Sequence, residues 1–204
     1  MALNTFANLK QAIERWSKRT DLSDVIDDIV SLAENRIDNR LRVSVNNKRA
    51  TATAPTSSRF LALPDYFIEM RRFTLIKDTY YNELIFNTPE SMILFNQSGV
   101  PKYYTITSEI EFDRVAADGY TLEMSYWKKL TPLSDSNTTN DVLTNFPHIY
   151  LQACKVEAHY WARDEDTGLA EEQRLNFLID EANAEDLRGR YGPAPRMQAN
   201  RATP

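Results

Sequence analysis

Catalysis by a nucleophile needs Ser or Cys beside an oriented base, and the side chains able to supply that chemistry are scarce in this sequence. Cys154 is its single cysteine and His148 and His159 its two histidines. All three fall in one apolar-periodic run that opens at Phe146-Pro147, so no triad can be built from them. The two histidines are too widely spaced to share a helix face as an i, i+4 metal pair would. A lone cysteine excludes an internal disulfide and a cysteine-built metal site, and its place in an apolar stripe makes it a buried structural thiol. Asp164-Glu165-Asp166-Thr167-Gly168 has the acids and glycine of a calcium loop without its length or its closing glutamate; Asp166 or Thr167 capping the next helix is the simpler reading. The five glycines, Gly99, Gly119, Gly168, Gly189 and Gly192, are scattered, whereas a phosphate-cradling loop needs them clustered. The expectation is no catalytic residue, no cofactor and no metal, in a protein that is not an enzyme.

The elements around these residues are well punctuated. Asn4 or Thr5 can cap a first helix striped by Phe6, Leu9, Ile13 and Trp16, and Ser23 a second, with Asp24, Asp27 and Asp28 in its first turns and Ile26, Ile29, Ala33, Ile37 and Leu41 inward. A short link makes these two an antiparallel hairpin. From Asn46-Asn47 the period changes to two, and strands are expected near 48–54, 60–63, 70–76, 80–86, 103–107, 110–115 and 120–127, with a short helix from Thr88-Pro89 to Gly99. In the last strand Leu122, Met124 and Tyr126 alternate with Thr121, Glu123 and Ser125. The polar run Thr131 to Asn140 must be a loop, because its hydroxyl and amide side chains compete for the backbone. Helices follow at Phe146 to Ala162 and about Leu169 to Leu187. The pattern predicts an α+β fold: a helical bundle built from N- and C-terminal helix pairs (4–42 and 142–188), an inserted antiparallel β-sheet region (48–130), and an extended C-terminal arm. Residues 1–190 form a single domain in this reading and 191–204 the arm.

The 204 residues carry 42% apolar and 26% charged side chains, ordinary values for a globular chain. Polar residues interrupt the first apolar run, and no run approaches the ~20 residues of a membrane span, so a cytosolic protein is expected. The net charge of −5 is unevenly spread: eleven acids face three bases between Asp141 and Leu187, whereas Arg188, Arg190, Arg196 and Arg201 close the chain with no acid. Prolines 193, 195 and 204 forbid a helix there. Arg36, Arg40, Arg42, Lys48 and Arg49, and Arg71-Arg72 beside Tyr66 and Phe67, could bind nucleic acid through phosphate and stacking contacts. Because the chain is acidic, and Asp27, Glu34 and Asp38 are near enough to neutralise part of the first cluster, a salt-bridged face between subunits is favoured.

Certain strings also resemble a family. Leu61-Ala62-Leu63-Pro64-Asp65-Tyr66-Phe67-Ile68-Glu69, Gly99-Val100-Pro101-Lys102-Tyr103-Tyr104-Thr105-Ile106, the segment Leu122 to Trp161, the helical N-terminus and the ending Arg188-Gly189-Arg190-Tyr191-Gly192 together resemble the head-to-tail adaptor (connector) proteins of tailed bacteriophages. The resemblance implies a structural virion protein forming a twelve-fold, dodecameric ring at the head-to-tail interface, assembled in the host cytoplasm. Its implied partners are the portal protein, tail or nozzle proteins and further copies of itself, with genomic DNA passing through the channel on ejection without specific binding and no membrane involved. The arm would reach the portal, with Arg188, Arg190, Arg196 and Arg201 meeting acids and Tyr191 and Met197 filling pockets. Rival readings are another tail or baseplate completion protein and a virion-associated cell-wall hydrolase.

Overall fold

The structure, a computed structural model, describes residues 3–191, with Tyr191 described by its backbone only. The fold is α+β. The chain divides into two compact units, one formed by the residues before Val45 together with those from Pro132 onward, the other by Val45–Thr131.

The helical unit begins with α1 (Phe6–Ser17), whose N-cap is Thr5: its side-chain oxygen accepts from Asn8 N. Helix α2 (Ile26–Arg40) starts at a Val25 cap without a side-chain hydrogen bond. Ser23, expected to be that cap, instead donates to Asp24 Oδ1 at 3.4 Å. After the β unit come α3 (Asp141–Asn145), capped by Asn140, and α4 (Pro147–Trp161), with Pro147 in its first turn where a missing N–H costs nothing. Helix α5 (Glu165–Tyr191) follows a left-handed Arg163 (φ 57°), and Asp164 Oδ1 accepts from Thr167 N. The cap is therefore Asp164 and not Asp166 or Thr167.

The C-terminal helices pack on the N-terminal pair. Their shared core contains Leu9, Ile13, Ile29, Ile37, Tyr150, Cys154, Leu175 and Ile179, each 0–2% exposed. Two expectations fail here. Trp16, placed by periodicity in the inward stripe of α1, is 61% exposed. The last helix, expected to end near Leu187, runs to Tyr191, so Arg188 and Arg190 are helical residues.

The β unit contains two four-stranded sheets, where a single antiparallel sheet was expected. In the first, β1 (Asn47–Thr53) and β3 (Phe67–Lys77) flank β8 (Thr121–Lys128), and β4 (Tyr80–Glu83) lies outside β3. In the second the order is β2 (Phe60–Leu61), β7 (Ile110–Phe112), β6 (Tyr103–Ile106), β5 (Ile85–Phe86), and β5 runs parallel to β6. The sheets share one core in which Phe73 meets Tyr104 edge-on at 5.0 Å and Phe112 at 5.9 Å. Register Ala52↔Leu122↔Leu75 and Ala50↔Met124↔Phe73 keeps the apolar residues of three strands on that side. Register shifts between Phe67 and Glu69 and between Met70 and Arg72 interrupt the alternation of β3, and the adjacent Arg71 and Arg72 are both exposed there.

The segment after Thr88-Pro89 makes one 3-10 turn (Pro89–Ser91) and no helix. Its later backbone is held by strand-like bonds from Phe95 N to Asp113 O and from Gly99 N to Val115 O.

Candidate functional site

The helical unit holds its acids and bases in three clusters. At the first, Glu34 is buried (7% exposed) and its Oε1 accepts from Leu133 N at 2.8 Å and from the Tyr150 hydroxyl at 2.5 Å. Asn140 Nδ2 donates to the same hydroxyl at 3.2 Å while Asn140 Oδ1 caps α3. This network fastens both ends of the polar loop 131–140 to α2 and α4. Burial, with the nearby Asp38 charge adding to it, pushes the Glu34 carboxyl above its ordinary value although both hydrogen bonds favour the anion. Burial and the Glu34 charge likewise push the Tyr150 hydroxyl far upward, so it stays a donor.

At the second cluster Arg36 bridges Glu157 (2.6 Å) and Glu172 (2.5 Å), and Tyr160 donates to the other oxygen of Glu172. Beside it Lys155, with a side chain 8% exposed, pairs with Glu171 at 2.5 Å, which also accepts from Gln152. Burial opposes ionisation of Glu171, but the bonds from Gln152 and Lys155 outweigh it and hold the carboxyl below its usual value.

At the third, the end of α5 is tied to the end of α2. Asn183 Oδ1 accepts from Arg42 N and its amide donates to Arg40 O, Asp186 accepts from Ser44 N, and Arg190 pairs with Asp186 and donates to Arg42 O at 3.2 Å. Asp180 meets Arg40 at 3.3 Å.

These pairings revise the sequence expectation for the first basic cluster. Arg36 and Arg40 take acids of their own unit, and Arg42 donates to Asp38 O and Leu41 O. Glu34, expected to offset the cluster, faces inward to Tyr150. Among the arm residues, Arg188 is exposed on α5 and Arg190 is half-buried. The side chain of Tyr191, and Arg196, Met197 and Arg201, lie outside the described residues.

Cys154 is fully buried, and that burial pushes its thiol up, away from the reactive thiolate. His148 is exposed, while His159 Nδ1 lies 3.3 Å from Asp164. Among the described residues no group of three or more His, Cys, Asp or Glu converges to hold a metal ion, and no helix is long and apolar enough to cross a membrane. In the β unit a shallow polar hollow on the outer face of the first sheet is lined by Arg49, Arg71, Arg72, Glu83 and Glu123, with Arg49–Glu123 at 3.5 Å and Arg72–Glu83 at 3.7 Å. These exposed pairs contribute little to stability. What the fold offers is surface for contact, with its buried polar groups spent on locking helices and loop together.

The family model of the SU10 adaptor protein matches residues 4–199. The chain belongs to this family of phage head-to-tail adaptors. The match takes in both units of the adaptor, the polar loop and most of the C-terminal stretch. No curated protein matches it. Membership accounts for a site made of surfaces: an adaptor is a structural protein of the virion, and its partners are other virion proteins.

Proposed function

We propose that the chain forms a twelve-fold ring beneath the portal, joins it to the tail or nozzle, and leaves a channel through which genomic DNA passes. The observation that carries this reading is the family match over residues 4–199. A subunit that closes a ring needs two different complementary faces, and the helical unit has the stiffness for it, since α2, α4 and α5 are cross-linked by the Arg36, Lys155 and Asn183 clusters. The domain runs to residue 190 with the β-rich stretch inserted, and the portal-seeking arm follows. Arg190 is engaged with Arg42 and Asp186 of its own unit. Portal contact therefore falls to Arg188, exposed on α5, and to Tyr191, Arg196, Met197 and Arg201. The chain turns over no substrate, and its place in the virion is the head-to-tail interface.

Mixing the purified chain with the portal protein of the same phage, followed by mass measurement and imaging, tests this. The expected product is a closed ring stacked on the portal ring. A stable dimer that never joins a portal, or density for the chain at the distal end of the tail, would reject it in favour of a tail completion role. Hydrolysis of peptidoglycan by the pure chain, abolished by one carboxylate substitution, would reject the non-enzymatic part.

A further inference from the structure

The first sheet of the β unit has two open edges that fit each other. Its order is β1-β8-β3-β4 with every neighbour antiparallel, so over four strands β1 and β4 run in opposite directions. Edge strand β1 keeps seven residues in unbroken register with β8. It carries no proline or bulge, devices that ordinarily stop an edge from taking another strand, and its two charges, Lys48 and Arg49, stand at one end. Ala54 N donates to Tyr120 O and Leu84 N to Phe73 O. That alternation turns the backbone groups of Ala50 and Ala52 toward β8 and those of Asn82 toward β3, and directs the N–H and C=O of Arg49, Thr51, Tyr81 and Glu83 off the two edges. No hydrogen bond among the described residues meets them there. Ala50, Ala52 and Leu84 face the core, so the side chains of those four residues lie on the outer face.

We propose that β1 of one copy pairs antiparallel with β4 of the next, so that the sheet continues from copy to copy. The register that joins outward backbone groups and sets opposite charges face to face puts Arg49 against Glu83 and Thr51 against Tyr81, each pair exchanging both of its backbone hydrogen bonds. Glu123–Arg49 at 3.5 Å and Arg72–Glu83 at 3.7 Å are loose, exposed pairs within one chain. Across the seam they become one row of alternating sign, Glu123 and Arg49 of one copy followed by Glu83 and Arg72 of the next, in which no existing pair has to break. Tyr81, 68% exposed, covers Thr51, an aromatic against a β-branched residue as in stabilising cross-strand pairs. Self-pairing of β1 leaves Arg49 without an acid across the seam, and self-pairing of β4 leaves Glu83 without a base, so the occupant of each edge is the other edge. Because the edges differ, the contact is heterologous and closes a ring where the rotation permits. The inference rests on the ring reading above and names the surfaces that close it.

Thr51→Cys and Tyr81→Cys, placed in separate chains, test it. Opposite residues of a hydrogen-bonded pair stand ~5.5 Å apart at Cα, within the ~4.4–6.8 Å of a disulfide, and buried Cys154 does not compete. Mixed, assembled on portal and mildly oxidised, the two populations should cross-link to each other, while neither should cross-link alone. Thr51→Pro removes an N–H that has no partner among the described residues; it should melt near the parent and raise the concentration needed for assembly roughly tenfold, the effect of a lost hydrogen bond at a blocked edge. Arg49→Glu and Glu83→Arg should each weaken assembly and together recover it. A cross-link within either population alone marks an isologous pair and overturns the proposal. Rings on portal without the mixed cross-link overturn this contact and leave the ring reading standing. The mixed cross-link in concentrated free chain, without any ring on portal, supports the contact and overturns the ring reading. Absence of both overturns both.

Discussion

Tyr150→Phe should destabilise the helical unit by about 2–3 kcal/mol. Tyr150 is 0% exposed and its hydroxyl donates to Glu34 Oε1 at 2.5 Å while accepting from Asn140 at 3.2 Å. A hydrogen bond to a charged group contributes ~1.5–3 kcal/mol, and a buried acceptor left short of donors adds to the loss. Glu34 would keep only Leu133 N. Trp16 and Trp161 report on this unit, and Trp127 on the other, so urea titration with single-tryptophan chains reads the loss where it occurs. A Tyr150→Phe chain within about 0.5 kcal/mol of the parent, small beside the ~1.5–3 kcal/mol assigned to a charged hydrogen bond, would refute the claim that this network fastens the loop.

Glu34→Gln separates charge from shape. The amide oxygen can accept the same two bonds, so the structure should persist. Burial raises the Glu34 carboxyl above its ordinary 4.5, so the folded chain holds that proton more tightly than the unfolded chain does. The stabilisation is complete below the unfolded value and is lost as pH rises through the folded one. The parent should therefore lose stability relative to Glu34→Gln across that window. A difference that is flat, or that grows in the parent's favour with rising pH, contradicts a carboxyl strained by burial.

Arg36→Met removes the cation between Glu157 and Glu172, whose side chains are 12% and 28% exposed, and should cost about 2–3 kcal/mol by urea titration, below the ~3–5 kcal/mol of a fully buried broken pair. A second change, Glu172→Gln, should recover part of it. Gly189→Ala should stabilise the end of α5 by a few tenths to ~1 kcal/mol, because nothing lies within 4 Å of the added carbon. Gly168→Ala should yield no gain, since its added carbon would come 2.9 Å from the Tyr160 ring; thermal melts compare the two. A chain ending at Gly192 should melt with the parent yet bind portal weakly and with less salt sensitivity. Ending at Gly189 should lower the melting temperature too, because Arg190's bonds to Arg42 and Asp186 go with it.

Elements with local signals were legible in the sequence. Thr5 as cap, Pro147 in a first turn, and the alternation of Leu122, Met124 and Tyr126 each rest on contacts within a few residues. The failures have distant causes. Gly189 signals a helix end, yet α5 continues because Ser44 and Arg42, far off in the chain, bond Asp186 and Arg190. Thr88-Pro89 signals a helix start, but bonds to Asp113 O and Val115 O hold the backbone extended. Bulges in β3 place Arg71 and Arg72 side by side, which no period-two reading anticipates. Of the surface proposed to meet the portal, the sequence offered the basic ending. Trp16 sat in a helical stripe that periodicity assigns inward, and no local signal marks it as the member left exposed.

Under the proposed function, charge placement constrains how the subunit would line a DNA channel. The acid excess from Asp141 to Leu187 suggests a repulsive wall, but Glu157, Glu171, Glu172, Asp180 and Asp186 point at Arg36, Lys155, Arg40 and Arg190 of the same unit. Their fields are largely cancelled at close range. Glu165, Asp166, Glu181 and Glu185 remain exposed on α5 without an ion pair among the described residues. A ring multiplies those few charges by its copy number, and within a Debye length of ~8 Å at physiological salt neighbouring copies reinforce one another. In the proposed ring, weak repulsion per subunit would then suffice to keep phosphates from sticking, because retention of DNA depends on cationic contacts, and the helical unit has tied Arg36, Arg40, Lys155 and Arg190 into its own packing.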